Sequence, residues 1–285
     1  MRLAPGDVEV TVAVGPRPAR LRGRVVGDGA GPVVLVLHGG GPGCSASSDF
    51  AAVIEPLAAD RQLLLLDLVQ MGRSDFVPIA GPVWSTHADA VAAVLDQLAL
   101  AEVDVVAQSM GSAVAVALAD AHPGRVRRAV LTSFAPFTPG RIEQLGGDPD
   151  LGARAWRTCF ADGAPGQTSV REVLATYEWA DPAAIPEALV RARTEVAAAP
   201  HQRRMSLDRS LRGAPEDLEP RLAELDLHAS LLWGEHDPFV TPAMRAAVVA
   251  ALRPAEHTVV PGTSHHLQSE APGRWLSSAL PFLAG

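Results

Sequence analysis

A chain of 285 residues, 48% hydrophobic and 20% charged, suits one large globular domain and excludes a mostly disordered protein. Its formal net charge of -8 excludes the concentrated basic face that a nucleic-acid partner requires. No run reaches the roughly 18 uninterrupted apolar residues of a membrane span, and the charged start, Met1 to Val10, lacks the apolar run and small-residue cleavage site of a secretory signal, so neither a membrane partner nor secretion is expected.

In chain order, Asp7 to Val14 and Arg20 to Val26 alternate as two antiparallel strands joined through Gly15-Pro16, an edge hairpin. Val33 to Leu37, Gln62 to Leu66, Val103 to Ala107, Ala129 to Thr132, Ser230 to Trp233 and His257 to Val260 are short apolar runs, the pattern of strands buried on both faces. Helical periods lie between them at Ser85 to Leu98, Ser112 to Ala121 and Pro242 to Ala251. Strands alternating with helices predict an α/β fold with a mainly parallel central sheet and helices on both faces.

From about Phe134 to Arg221 the alternation stops, leaving helical pieces such as Val170 to Tyr177 and Ile185 to Ala198. Structureless loops beyond about 15 residues are uncommon in compact domains. The interval is therefore read as a helical cap, residues 136–219, inserted in a core formed by 1–135 and 220–285. Two cysteines, Cys44 and Cys159, are too few for a disulfide framework and suit a reducing cytoplasm.

Three segments carry chemistry. Ala107-Gln108-Ser109-Met110-Gly111 joins a buried strand to a helix, and a nucleophile in such a strained turn needs small residues two positions to either side. A serine hydroxyl is a weak nucleophile and requires a base, which in turn requires an acid to orient it. Asp237 follows the strand Ser230 to Trp233, where it could equally be a turn cap before Pro238; His265 and His266 both follow the last strand, and either could be the base. The chain order Ser, Asp, His is that of α/β-hydrolases. His38-Gly39-Gly40-Gly41-Pro42-Gly43 offers bare backbone N–H groups for a developing oxyanion, with the N–H of Met110 as the other donor. The same loop lacks the Gly-Lys-Ser/Thr of a phosphate cradle, and His236 with the His265-His266 pair lacks metal-ligand spacing, so neither cofactor nor metal is expected.

These residues resemble the α/β-hydrolase superfamily over essentially the whole chain, and within it the meta-cleavage product hydrolases, which split carbon–carbon bonds in vinylogous 1,5-diketones. The glycine loop is similar to that family's oxyanion loop, whose second glycine corresponds to Gly40 and is thereby implied as an oxyanion donor; Gln108-Ser109-Met110-Gly111 is similar to its Asn-Ser-Met-Gly, and His265, Gln268 and Glu270 to its His-Trp-x-Gln-x-Glu, which selects His265 as base. Ile185-Pro186-Glu187-Ala188-Leu189 leads into Arg193 at the spacing of the family's cap arginine, implying a guanidinium that binds a substrate carboxylate and enolate. The resemblance makes Gly41, Gln108, Arg193 and His266 substrate-binding positions. Gln108 and His266 replace the family's Asn and Trp, so the pocket is more polar, and Gln70 stands where glycine is usual.

The expected function is hydrolysis of a small molecule, carboxylate-bearing if the cap arginine faces it: a carbon–carbon bond in a dienoate or related β-diketone, or an ester, lactone or thioester. A proline-iminopeptidase activity finds no acidic cap cluster in the sequence for an amino-terminal amine. A ligand-binding module that has lost its chemistry would not demand an intact Ser109, Asp237 and His265. The chain is compatible with a homo-oligomer.

Overall fold

The computed structural model describes residues 2–253 and 256–285; Met1, which opens the amino-terminal stretch read above, lies outside the described residues, as do Pro254 and Ala255. Ten strands occur among the described residues: β1 (Gly6–Val14), β2 (Arg17–Val26), β3 (Val34–Leu37), β4 (Leu63–Leu66), β5 (Ile79–Pro82), β6 (Val103–Gln108), β7 (Val126–Thr132), β8 (Arg212–Ala214), β9 (Ala229–Gly234) and β10 (Glu256–Val260). Eight of them form one sheet in the order β1-β2-β4-β3-β6-β7-β9-β10. The hairpin β1–β2 joins β4 antiparallel, and each neighbouring pair from β4 to β10 is parallel.

The residue patterns explain the layers. In β1, Val10, Val12 and Val14 are buried while Thr11 and Ala13 are exposed, the period of a half-solvated strand. All residues of β3, β4, β6 and β9 are buried. Successive side chains of β3 serve opposite faces: Leu35 and Leu37 pack with Val91, Val94 and Val114 in one cluster, Val34 and Val36 with Phe50, Trp275 and Phe282 in the other. Helices therefore cover both faces. The final strand departs from expectation, because β10 is an edge on which only Val260 is buried.

Between β7 and β9 the chain is mainly helical: Pro139–Gln144, Leu151–Cys159, Gln167–Val173, Glu187–Ala197 and Pro200–Leu207. These helices build a cluster of their own around Trp156, Val170, Leu174 and Val190. The sequence did not reveal the small β5–β8 ladder, whose strands of four and three residues are too short to show a period. Nor did it reveal that the helix Gln167–Val173 widens into a π-helical turn, Leu174–Glu178. Such turns are rare and frequently serve functional sites.

Gln70 has φ 70°, in the left-handed region that usually calls for glycine. Its amide offsets that strain by donating to Val77 O and Leu211 O at 2.7 and 2.6 Å, tying the loop after β4 to the mainly helical segment between β7 and β9.

Candidate active site

The sheet order reverses between β3 and β6, and at such a switch point the loops after the two strands diverge to leave a crevice. Ser109 stands there at the end of β6, with φ 51° and ψ -113°, held by its N–H donating to Thr132 O at 2.8 Å. The helix Met110–Ala121 begins directly after it, two residues earlier than the sequence suggested. A Cβ on Gly111 would meet Leu37 O at 2.5 Å and His38 O at 2.7 Å, which is why only glycine fits on this side of the turn. Ala107, on the other side, is fully buried.

His265 and Asp237 meet behind Ser109. Asp237 brings Oδ1 and Oδ2 to 3.0 and 2.9 Å from His265 Nδ1, and its Oδ1 also accepts the Phe239 N–H at 2.9 Å. A carboxylate on Nδ1 fixes the hydrogen there and leaves Nε2 as the acceptor. Burial lowers the affinity of the imidazole for a proton, but Asp237 outweighs it, and the pKa stands above its ordinary value. The Phe239 ring lies 4.4 Å from the imidazole, centroid to centroid.

The loops bearing the acid and the base are laced together: His236 N–H donates to Thr263 O at 2.9 Å and Gly262 N–H to Glu235 Oε2 at 2.9 Å. Ser133 Oγ donates to His265 O at 2.9 Å and Gln108 Nε2 to the same oxygen at 3.3 Å. Glu270 accepts from Ser264 N–H at 2.7 Å and from Ala180 N–H at 2.8 Å, clamping the histidine loop to the mainly helical segment between β7 and β9.

The glycine loop is equally fixed. Leu68 N–H donates to His38 Nε2 at 3.0 Å, so Nδ1 carries the hydrogen and donates to Gly39 O at 2.7 Å. Gly39 N–H donates to Asp49 Oδ2 at 2.9 Å, and Trp156, on the helix Leu151–Cys159, donates its indole N–H to Gly40 O at 3.1 Å. A Cβ on Gly40 would lie 3.2 Å from Met110 Cβ, so the backbones expected to share an oxyanion are neighbours.

Ser109, His265, His266, Gln108, Gly40 and Gly41 line one cavity of about 200 Å³. A larger groove of about 870 Å³, between the amino-terminal hairpin and the helix Glu187–Ala197, contains none of Ser109, His265 and Asp237. The candidate residues converge on the smaller cavity. Its walls include four residues the sequence reading missed: Glu178, Trp156, Cys44 and Phe239.

Arg193, expected to reach the substrate, is instead enclosed beside the cavity and is only 1% exposed. Its guanidinium donates to Glu178 Oε2 at 2.6 Å and to Pro42 O at 3.0 Å, and Nε lies 3.4 Å from Asp49 Oδ1. Gln268 Nε2 donates to Asp49 O at 3.1 Å and lies 3.3 Å from His266 Nδ1. His266 Nε2 lies 3.0 Å from both Glu178 Oε2 and Arg193 Nη2. Burial pushes the Glu178 and Asp49 carboxyls up, yet Arg193 beside both holds them ionised and below the usual range. No pattern in the sequence marks Glu178, a single acid between Tyr177 and Trp179; only the widened turn brings it to the wall.

Cys44, Asp49 and His266 have ligand atoms within 4.8 Å of one another. The donor set fits a metal poorly. Burial drives the Cys44 thiol pKa well up, disfavouring the thiolate a metal needs, and Arg193 already supplies a cation beside Asp49. His236 has a side chain 60% exposed and contributes nothing to this cluster.

This fold and site define a hydrolase. The chain belongs to the α/β-hydrolase fold family, whose model matches residues 32–272. It is an enzyme of that family and is similar to meta-cleavage product hydrolases. The 2-hydroxy-6-oxononadienedioate/2-hydroxy-6-oxononatrienedioate hydrolase of Paraburkholderia xenovorans is 28% identical, with 100% of this chain and 94% of that protein aligned. The 2-hydroxy-6-oxo-6-phenylhexa-2,4-dienoate hydrolase of a Rhodococcus superposes with a TM-score of 0.76 at 23% identity, over 99% of this chain and 100% of that one. A thermophilic esterase from Thermogutta terrifontis superposes with 0.75 at 21% identity, over 98% of each chain. The two superpositions show a shared fold. No helix among the described residues is long and apolar enough to cross a membrane.

Proposed function

We propose that the protein is a serine hydrolase in which Ser109 attacks a carbonyl, His265 is the base and Asp237 orients it, and that it cleaves a carbon–carbon bond in a vinylogous 1,5-diketone. The observation that carries the hydrolytic reading is the buried pairing of Asp237 with His265 Nδ1, which leaves Nε2 free in a histidine that lines the same cavity as Ser109. His265 takes the hydroxyl proton as Ser109 Oγ bonds to the ketone carbon. The oxyanion rests on the N–H groups of Gly40 and Met110. Collapse breaks the carbon–carbon bond, the leaving carbon takes the proton from His265, and water releases the acyl group by the same steps. The carbon–carbon assignment rests on the relatives' chemistry and on alignment over the whole chain.

Hydrolysis of an ester, lactone or thioester by the same residues is the second reading, favoured by Arg193, whose donors meet protein groups rather than the cavity. Residues 136–219 form the cap over the site, which accepts a small molecule without a cofactor. Two buried free thiols suit a reducing cytoplasm.

A screen of 1,5-diketones, p-nitrophenyl esters, lactones and thioesters, with Ser109→Ala as control, tests both. Cleavage of a diketone, lost in the variant, is the expected result. Cleavage of simple esters with every diketone untouched overturns the first reading in favour of the second.

A further inference from the structure

The polar end of the cavity already contains a carboxylate. Glu178 reaches it from the π-helical turn; its Oε2 holds Arg193 and His266, while Oε1 lies 2.9 Å from where a Cβ on Gly41 would sit, at the cavity wall. Glu178 is 3% exposed and Asp49 0%. Two buried anions thus face one guanidinium, whose Nη1, 3.3 Å from the same Cβ position, donates to Pro42 O and whose Nη2 donates to Glu178, with Asp49 3.4 Å from its Nε. One guanidinium charge is set against two carboxylates. A substrate carboxylate entering here would meet uncompensated negative charge, and like charges set together without water are strongly disfavoured. A group without charge meets no such penalty, and one carrying O–H or N–H finds an acceptor in Oε1.

We infer that Glu178 is a built-in carboxylate standing where a substrate carboxylate would bind, so that this enzyme selects substrates uncharged at the end meeting Gly41, Glu178 and His266 and rejects those with a free carboxylate there. This rests on the Ser109-centred hydrolase reading, and it narrows the carbon–carbon branch of that reading to diketones without a free carboxylate at this end. It makes Glu178 a specificity-determining residue and Arg193 a positioning residue that acts through it.

Matched acyl donors test it: p-nitrophenyl butyrate and hexanoate against the mono-p-nitrophenyl esters of succinate and adipate. The wild-type enzyme is expected to show kcat/KM at least about 100-fold lower for the acids, the scale of an uncompensated like charge. In Glu178→Gln that ratio is expected to narrow at least tenfold, with circular dichroism checking the fold. The wild-type protein gives an independent readout: benzamide, but not benzoate, slows fluorophosphonate labelling of Ser109. Acids and neutral esters turned over within threefold of each other, a ratio unmoved in folded Glu178→Gln, equal protection by benzoate, or fast bleaching of a free dienoate would each overturn the inference. Absent labelling of Ser109 would instead overturn the hydrolase reading on which it rests.

Discussion

Asp237 presents both carboxylate oxygens to a single nitrogen, His265 Nδ1, inside a site where the two residues are each 6% exposed. A carboxylate so placed sets the tautomer and stabilises the imidazolium formed when Ser109 loses its proton. Asp237→Asn keeps the shape and reverses the hydrogen-bond demand, so kcat should fall by roughly 10⁴-fold while the protein remains folded, as steady-state kinetics and circular dichroism would record.

The same pairing fixes a pH dependence. His265 has its pKa raised, because Asp237 overcomes the opposing effect of burial, and only the unprotonated ring can accept the Ser109 proton. Activity should be lost as pH falls through an apparent pKa above the 6.5 of an ordinary histidine. In Asp237→Asn the residual activity should persist to lower pH. A profile of log kcat/KM against pH for both proteins decides it, and an unshifted acidic limb in the variant would contradict the account.

Much of this was legible in the sequence, and the parts that were not have physical causes. The buried runs of β3, β4, β6 and β9 announce themselves because both faces need apolar side chains. Ser109, Asp237 and His265 follow strand ends, so local context sufficed to expect them near one another, and the structure pairs Asp237 with His265 and puts His265 in the cavity lined by Ser109. Arg193 could be found by spacing, but its direction could not, because that depends on Glu178 and Asp49, which sit on separate elements and pair only in three dimensions. β10 was misjudged because an apolar run does not say whether a strand lies at an edge.

Removing Arg193 should be costly for stability. Arg193→Met leaves Glu178 and Asp49 buried without their cation, a loss of about 3–5 kcal/mol in urea unfolding. Arg171→Met, at an ion pair with Glu187 whose side chains are 37% and 66% exposed, should change stability by less than about 1 kcal/mol.

Gly111→Ala should cost about 1–3 kcal/mol, since its new methyl group has backbone oxygens at 2.5 and 2.7 Å and none of them can move without shifting the oxyanion loop. Gly273→Ala, with nothing within 4 Å, serves as the control and should stay within about 0.5 kcal/mol of the parent. Thermal unfolding of the two variants compares them directly.

Trp156, on the helix Leu151–Cys159, donates to Gly40 O and so holds the glycine loop. Trp156→Phe keeps the packing and deletes one hydrogen bond, worth about 1 kcal/mol, so kcat should fall roughly fivefold. An unchanged kcat would show that the loop needs no support from this helix.

The central claim is that Ser109 is the nucleophile, and covalent labelling tests it most directly. Intact-mass spectrometry after treatment with a fluorophosphonate should show one adduct on the wild-type chain, mapped to the peptide bearing Ser109, and none on Ser109→Ala, which should also have lost all turnover. A wild-type chain that takes no adduct, or a Ser109→Ala variant that still turns over substrate, would contradict it.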